Sequence, residues 1–245
     1  MLIYILVLLT GVAAGFLNTV AGGGSLLSLP ILTFLGLGID VANGTNRIAI
    51  LMQNIAATYR FRKSGINVSK EIFQLGIPTL FGAALGATIA INLNKELLEK
   101  VIAVILIVLA ILLVFRPKMW SGKEPKKEIP KIAQYLVFFG LGVYGGFIQA
   151  GIGFFLITAI VLVKGFDLVR TNAVKVGVIA LYTVLSLIIF FIGGKVDLLL
   201  GLVLGVGNSL GGILGAQFSV KKGSKWIRII LFATVTFSAL KMLLS

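Results

Sequence analysis

Long stretches of this chain carry no charged residue: 1–39, 72–94, 132–163, 176–194 and 198–220. A hydrocarbon layer about 30 Å thick takes roughly 20 apolar residues of helix, so several of these runs can cross it and two are long enough for a helix pair. The pattern predicts helices over 2–21, 25–36, 45–62, 71–91 and 96–115, then over 131–150, 154–164, 170–192, 198–218 and 226–244. The segments at 25–36 and 154–164 are shorter than about 20 Å at 1.5 Å per residue, too short to cross. Each therefore reads as the returning arm of a helix that enters, breaks at glycines and turns back. Between the two sets lies RPKMWSGKEPKKEIPK, residues 116–131, a lysine- and proline-rich surface loop.

The two sets repeat one another. GFLNTVAGGG at 15–24 parallels GFIQAGIGFF at 146–155, and Thr45 with Asn46 parallels Thr171 with Asn172. LGIPTLFGAALGA at 75–87 parallels LGVGNSLGGILGA at 204–216, keeping Gly76, Gly82 and Gly86 in step with Gly205, Gly211 and Gly215. The expected organisation is a repeat at 1–115, a cytoplasmic linker at 116–131 and a repeat at 132–245, forming one membrane domain. A broken pair plus three full crossings in each half would invert the second half relative to the first. In that arrangement the loops near 60–71, 116–131, 164–175 and 220–228 share one side and hold 17 of the 22 Lys and Arg residues. The positive-inside tendency makes that side cytoplasmic and puts both termini outside. The predicted fold class is an all-α polytopic membrane protein of two inverted repeats.

Composition then removes alternatives. The chain is 58% hydrophobic and 12% charged, with a mean hydropathy of +1.10, outside the range of soluble domains. No basic region precedes the first apolar run, so no cleavable leader is expected. Cysteine and histidine are absent, which removes thiol chemistry, disulfides and imidazole-based metal or acid–base sites. The acidic residues fall in or beside predicted loops, leaving no mid-membrane carboxylate relay. An enzyme is thereby disfavoured, and neither metal nor cofactor is expected. The net charge of +14 sits in short loops and reads as an orientation signal rather than a nucleic-acid surface.

The candidate chemistry lies at the glycine breaks. Gly22, Gly23 and Gly24 permit left-handed backbone and close approach, and Ser25 is placed to cap the helix that follows. A helix that starts at mid-membrane directs free N–H groups and partial positive charge there, which suits an anion. The break at Gly151 and Gly153 would approach from the opposite face. Asn18 and Gln149, one turn before each break, either line a cavity or stitch the opened backbone. Asn43, Thr45, Asn46 and Arg47 open one crossing helix, and Thr171, Asn172 and Lys175 open its counterpart. Simple capping by Asn43 or Thr45 and an interfacial Lys175 stand as the plainer reading, while Arg47 is expected to face the anion path. Gln53 and Asn54 have apolar counterparts, Ile179 and Ala180, an asymmetry that either tunes selectivity or, as the favoured reading, serves hydrogen bonding between helices. Gly82 and Gly86 are assigned to helix packing.

NTVAGGGSLLSLPIL at 18–32, followed by the spaced glycine and ANGTNR at 36–47, resembles the sulfite exporter TauE/SafE family, also called the toluene sulfonate uptake permease family. The likeness extends over essentially the whole chain, although GFIQAGIGFF lacks the triple glycine and following proline of the first motif. The resemblance implies a permease for sulfite, sulfonates or related organic anions in a prokaryotic cytoplasmic membrane, with Gly22–Gly24, Pro30, Thr45 and Asn46 at shared motif positions. The partners expected are a small anion and the lipid bilayer, with a homo-oligomer as a further option. An anion channel or a non-transporting accessory subunit are the alternatives to a carrier.

Overall fold

A computed structural model of the protein describes residues 2–94, 96, 97 and 129–244, with side chains described up to residue 231 and at residue 233. The predicted helix over 96–115 and the linker at 116–131 lie almost wholly outside the described residues. Within them every regular element is helical: α1 (Leu2–Val20), α2 (Ser25–Phe34), α3 (Ile39–Lys63), α4 (Ser69–Asn92), α5 (Lys131–Phe147), α6 (Ile152–Lys164), α7 (Leu168–Ile192) and α8 (Leu198–Leu244). Helices α1, α4 and α7 and the stretch Leu198–Leu231 of α8 are long and apolar enough to cross a membrane, whereas α2 and α6 are apolar but short.

Several boundaries differ from the expectation. Helix α3 starts at Ile39 after Gly38, and α7 starts at Leu168. Asn43 and Thr45 therefore lie inside α3 and do not cap it. The α7 cap is Asp167, whose carboxylate accepts from the backbone N–H groups of Val169 and Arg170. The predicted loop between 218 and 226 is reduced to a single left-handed residue, Gly223, with φ of 72°.

Glycines decide which helices meet and in which direction they run. A Cβ at Gly11 would lie 2.7 Å from the Leu204 carbonyl oxygen, and one at Gly215 would lie 3.0 Å from that of Phe16. Gly201 rests on Ile48 and Gly212 on Gln53. Sequence numbers rise together along all these contacts, so α8 runs parallel to both α1 and α3. In the same way Gly82 and Gly86 press on Phe139 and Val143, while Gly177 meets Ile72 and Gly76 meets Leu181, so α4 runs parallel to α5 and α7. Helices α3 and α7 run antiparallel, with Gly44 near the α3 start against Phe190 near the α7 end. Two bundles result, α1–α2–α3–α8 and α4–α5–α6–α7, each taking one helix from the other half of the sequence. Small residues at the crossings allow this close approach, as is usual between helices in lipid, where tails compete for apolar contact.

Candidate functional site at the two helix breaks

Helix α1 ends because Gly22 turns left-handed, with φ of 96°, and its N–H reaches back to the Leu17 carbonyl at 3.0 Å. Gly24 has ordinary helical angles and serves a different purpose, since its missing side chain leaves room for Ala14 and Asn18 of α1. Of the three consecutive glycines, only Gly22 takes a left-handed conformation. In the other half α5 stops at Phe147, the backbone becomes extended at Ile148, and Gly151 (φ of 74°) starts α6. Gln149 thus lies within the break rather than one turn before it. The Tyr144 hydroxyl donates to the Ala150 carbonyl at 2.5 Å and ties this opened segment to α5.

The two breaks touch. A Cβ on Gly22 would lie 2.6 Å from the Gly153 Cα, so only glycine allows the two backbones to come this close. The starts of α2 and α6 are therefore brought together in the interior, where Gly22, Gly23, Gly24, Gly151 and Gly153 are all buried. Ser25 does not cap α2. Gly24 holds that position without a side-chain bond, and Ser25 Oγ instead accepts from Asn46 Nδ2 at 3.2 Å. The Asn46 oxygen in turn accepts from Ser28 at 2.7 Å. Leu26 and Leu27 use their N–H groups on the carbonyls of Gly23 and Gly24, so the donors of Gly23, Gly24 and Ser25 have no acceptor among the described residues.

The two buried cations act on the opposite ends of the breaks. Lys175 is fully buried in α7, not interfacial, and its Nζ donates to the carbonyls of Asn18 and Thr19, both at 2.9 Å, and to Asn172 Oδ1 at 2.8 Å. Asn172 Nδ2 donates to the Val20 carbonyl at 2.9 Å. Arg47 of α3 does the same for α5. Its Nη atoms reach the carbonyls of Gly146 (2.6 Å) and Gly145 (3.3 Å) and the Ser186 hydroxyl (3.0 Å). Asn43 adds a bond to the Phe147 carbonyl at 2.8 Å, and the guanidinium lies over the Phe190 ring, 4.2 Å from its centroid. Each half thus supplies a cation that caps the C-terminus of the other half's broken helix. This offsets the partial negative charge there and leaves the positive starts of α2 and α6 as the uncancelled ends. The ion pairs among the described residues are Arg170 with Glu71 and Lys195 with Asp40, so neither Arg47 nor Lys175 has a carboxylate partner there.

Other candidates divide. Asn18 Nδ2 donates to Gln53 Oε1 at 3.0 Å, Gln53 Nε2 to Thr19 at 3.3 Å, and Gln149 Nε2 to Thr183 at 2.9 Å, so these amides link helices beside the breaks. Asn54 bonds only within its own helix, to the Ile50 carbonyl. Thr45 and Thr171 are turned away: Thr45 accepts from the Asp197 N–H and Thr171 donates to the Phe166 carbonyl. Sequence reading missed Ser28, Thr183 and Ser186, single hydroxyls in apolar runs whose partners lie far along the chain.

Comparison with known protein families matches residues 7–242 to the family described as sulfite exporter TauE/SafE. The chain belongs to that family. The TauE/SafE chain is 29% identical over 230 residues to "Probable membrane transporter protein YfcA" of Escherichia coli K12, covering 92% of this chain and 84% of the relative. It is 29% identical over 221 residues to a "Probable membrane transporter protein" of Haemophilus influenzae, covering 89% and 86%. A Sinorhizobium protein, "Probable membrane transporter protein ORF9", is 26% identical over 230 residues, covering 94% and 88%. No solved structure matches this TauE/SafE chain. This is a membrane transporter of the TauE/SafE family.

Proposed function

We propose that the protein is a secondary carrier, not an enzyme, for small sulfur-containing or organic anions such as sulfite or a sulfonate. In this reading it works as an inverted repeat in the cytoplasmic membrane with both termini outside. The observation that carries the reading is the contact of Gly22 on Gly153, which brings the starts of two short helices to one buried point. There the N–H groups of Gly23, Gly24 and Ser25 are free to replace the hydration shell of an oxyanion. Capping of the α1 and α5 ends by Lys175 and Arg47 supports it, because without those cations the adjacent carbonyls would repel an anion. The opposed directions of α3 and α7 support the inverted arrangement. The two bundles would then rock against each other about the glycine contact, exposing the point alternately to each side.

Purified protein in liposomes should take up sulfite or a small sulfonate saturably, and Gly153→Leu, which drives a side chain into the Gly22 backbone, should abolish that uptake. Saturable flux unchanged by Gly153→Leu would refute the site. Flux that never saturates would make the protein a channel, and failure to bind any sulfur oxyanion would refute the reading.

A further inference from the structure

Asn208 lies about three turns into α8, well before the kink at Gly223, and is 1% exposed, yet neither its Nδ2 nor its Oδ1 has a partner among the described residues. Buried amides without partners are rare and call for an explanation. The packing shows where this one points. Leu204, Gly207, Gly211 and Gly215 contact α1, as does the backbone of Asn208 itself at Gly11 and Gly15, while Gly201, Gly205 and Gly212 contact α3. At about 100° per residue, Asn208 falls on the edge of the α1 face nearest α3, so its side chain enters the wedge between α1 and α3. On one side of it Val7, Leu29, Ala49 and Leu204 form an apolar cluster, in which Leu29 brings α2 across the wedge. On the other side Gly212 and Gly215 rest on Gln53 and Thr19, members of the amide network with Asn18. Asn208 is thus enclosed in the bundle that holds the free N–H groups at the start of α2.

The other half lacks an equivalent. The repeat aligns LGVGN at 204–208 with LGIPT at 75–79, so the counterpart is Thr79. Its hydroxyl donates to the Leu75 carbonyl at 2.7 Å and is satisfied within α4. We infer that Asn208 is a substrate-contacting residue: its Nδ2 donates to a small oxyanion held at the start of α2, and its Oδ1 accepts from water that accompanies the anion. The pocket then lies within α1–α2–α3–α8 rather than symmetrically between the two breaks, and a residue from the second half of the sequence sets its specificity. This deepens the anion-carrier reading and rests on it.

Sulfite uptake into proteoliposomes tests the assignment. Losing one hydrogen bond to a charged ligand should raise the KM of Asn208→Ala about ten- to a hundredfold, and Asn208→Asp, which sets a carboxylate against the anion, should abolish uptake. Should Asn208→Asp not fold, Asn208→Ser should show a smaller rise in KM. The native chain has no cysteine, so Asn208→Cys gives a second readout that needs no transport. The anionic reagent 2-sulfonatoethyl methanethiosulfonate should label this variant and sulfite should slow that labelling, while Leu204→Cys, one turn away in the apolar cluster, stays unlabelled. A parental KM in Asn208→Ala would overturn the assignment while leaving the carrier intact, and so would an Asn208→Cys variant that transports sulfite but resists the reagent. If the unsubstituted protein moves neither sulfite nor a small sulfonate, the carrier reading fails and the substrate contact at Asn208 fails with it, whereas transport by the unsubstituted protein with a parental KM in Asn208→Ala overturns the contact alone.

Discussion

Replacing Lys175 by methionine keeps the length of the side chain and removes the charge. It leaves the carbonyls of Asn18 and Thr19 and the Asn172 oxygen without a shared donor, all of them buried. An orphaned buried acceptor costs about 1–3 kcal/mol, so the gross loss is roughly 3–9 kcal/mol. Removing the ammonium also relieves its desolvation, worth several kcal/mol. The net loss should be about 2–4 kcal/mol, within the range known for a charge at a helix C-terminus together with its hydrogen bonds. For a chain of 245 residues this corresponds to a fall in Tm of about 5–15 °C. Thermal unfolding in detergent measures it directly. Lys175→Arg, which keeps the charge and donors, should recover part of the loss. The reasoning separates a cap from a ligand: a cap lowers Tm with or without anion present. If Lys175→Met melts like the parent protein but no longer binds sulfite, the ammonium is a solute ligand and the capping argument is refuted.

Two glycines with nearly equal angles should respond very differently to alanine. Gly22 and Gly36 have φ of 96° and 93°, so both should suffer the left-handed penalty of about 1–2 kcal/mol. Only Gly22→Ala also meets backbone, since no atom lies within 4 Å of a Cβ at Gly36; folded yield and Tm should therefore fall much further for Gly22→Ala. The Asp40–Lys195 pair, 2.8 Å apart with side chains 17% and 35% exposed, should contribute under about 1 kcal/mol in a double-mutant cycle and weaken with salt.

How much was legible in advance follows from what each residue needs. Apolar run lengths depend only on local composition and the thickness of a bilayer, so most helices, the short α2 and α6 among them, could be placed within three residues, whereas α3 starts six residues earlier than expected and α8 continues across Gly223. Glycines at 22–24 and 151–153 announced the breaks because few other residues tolerate a left-handed turn or backbone-to-backbone contact. The likeness of the two halves also made a meeting of the breaks a reasonable expectation. The roles of Arg47, Lys175 and Ser25 were not legible. Each satisfies a partner on another helix, from 21 to 157 positions away, and neither spacing nor propensity carries that information.

The sequence alone determined that this chain is a bundle of apolar helices, two of them interrupted, because hydrophobic run length and glycine placement act over a few residues. Only the tertiary structure decided that the fourth helix of each half packs with the other half. It also decided that each buried cation neutralises a helix end across the molecule, and that Asn208 is left without a partner among the described residues. Those outcomes depend on which buried hydrogen-bonding groups come within about 3 Å of one another, a condition set by packing in three dimensions.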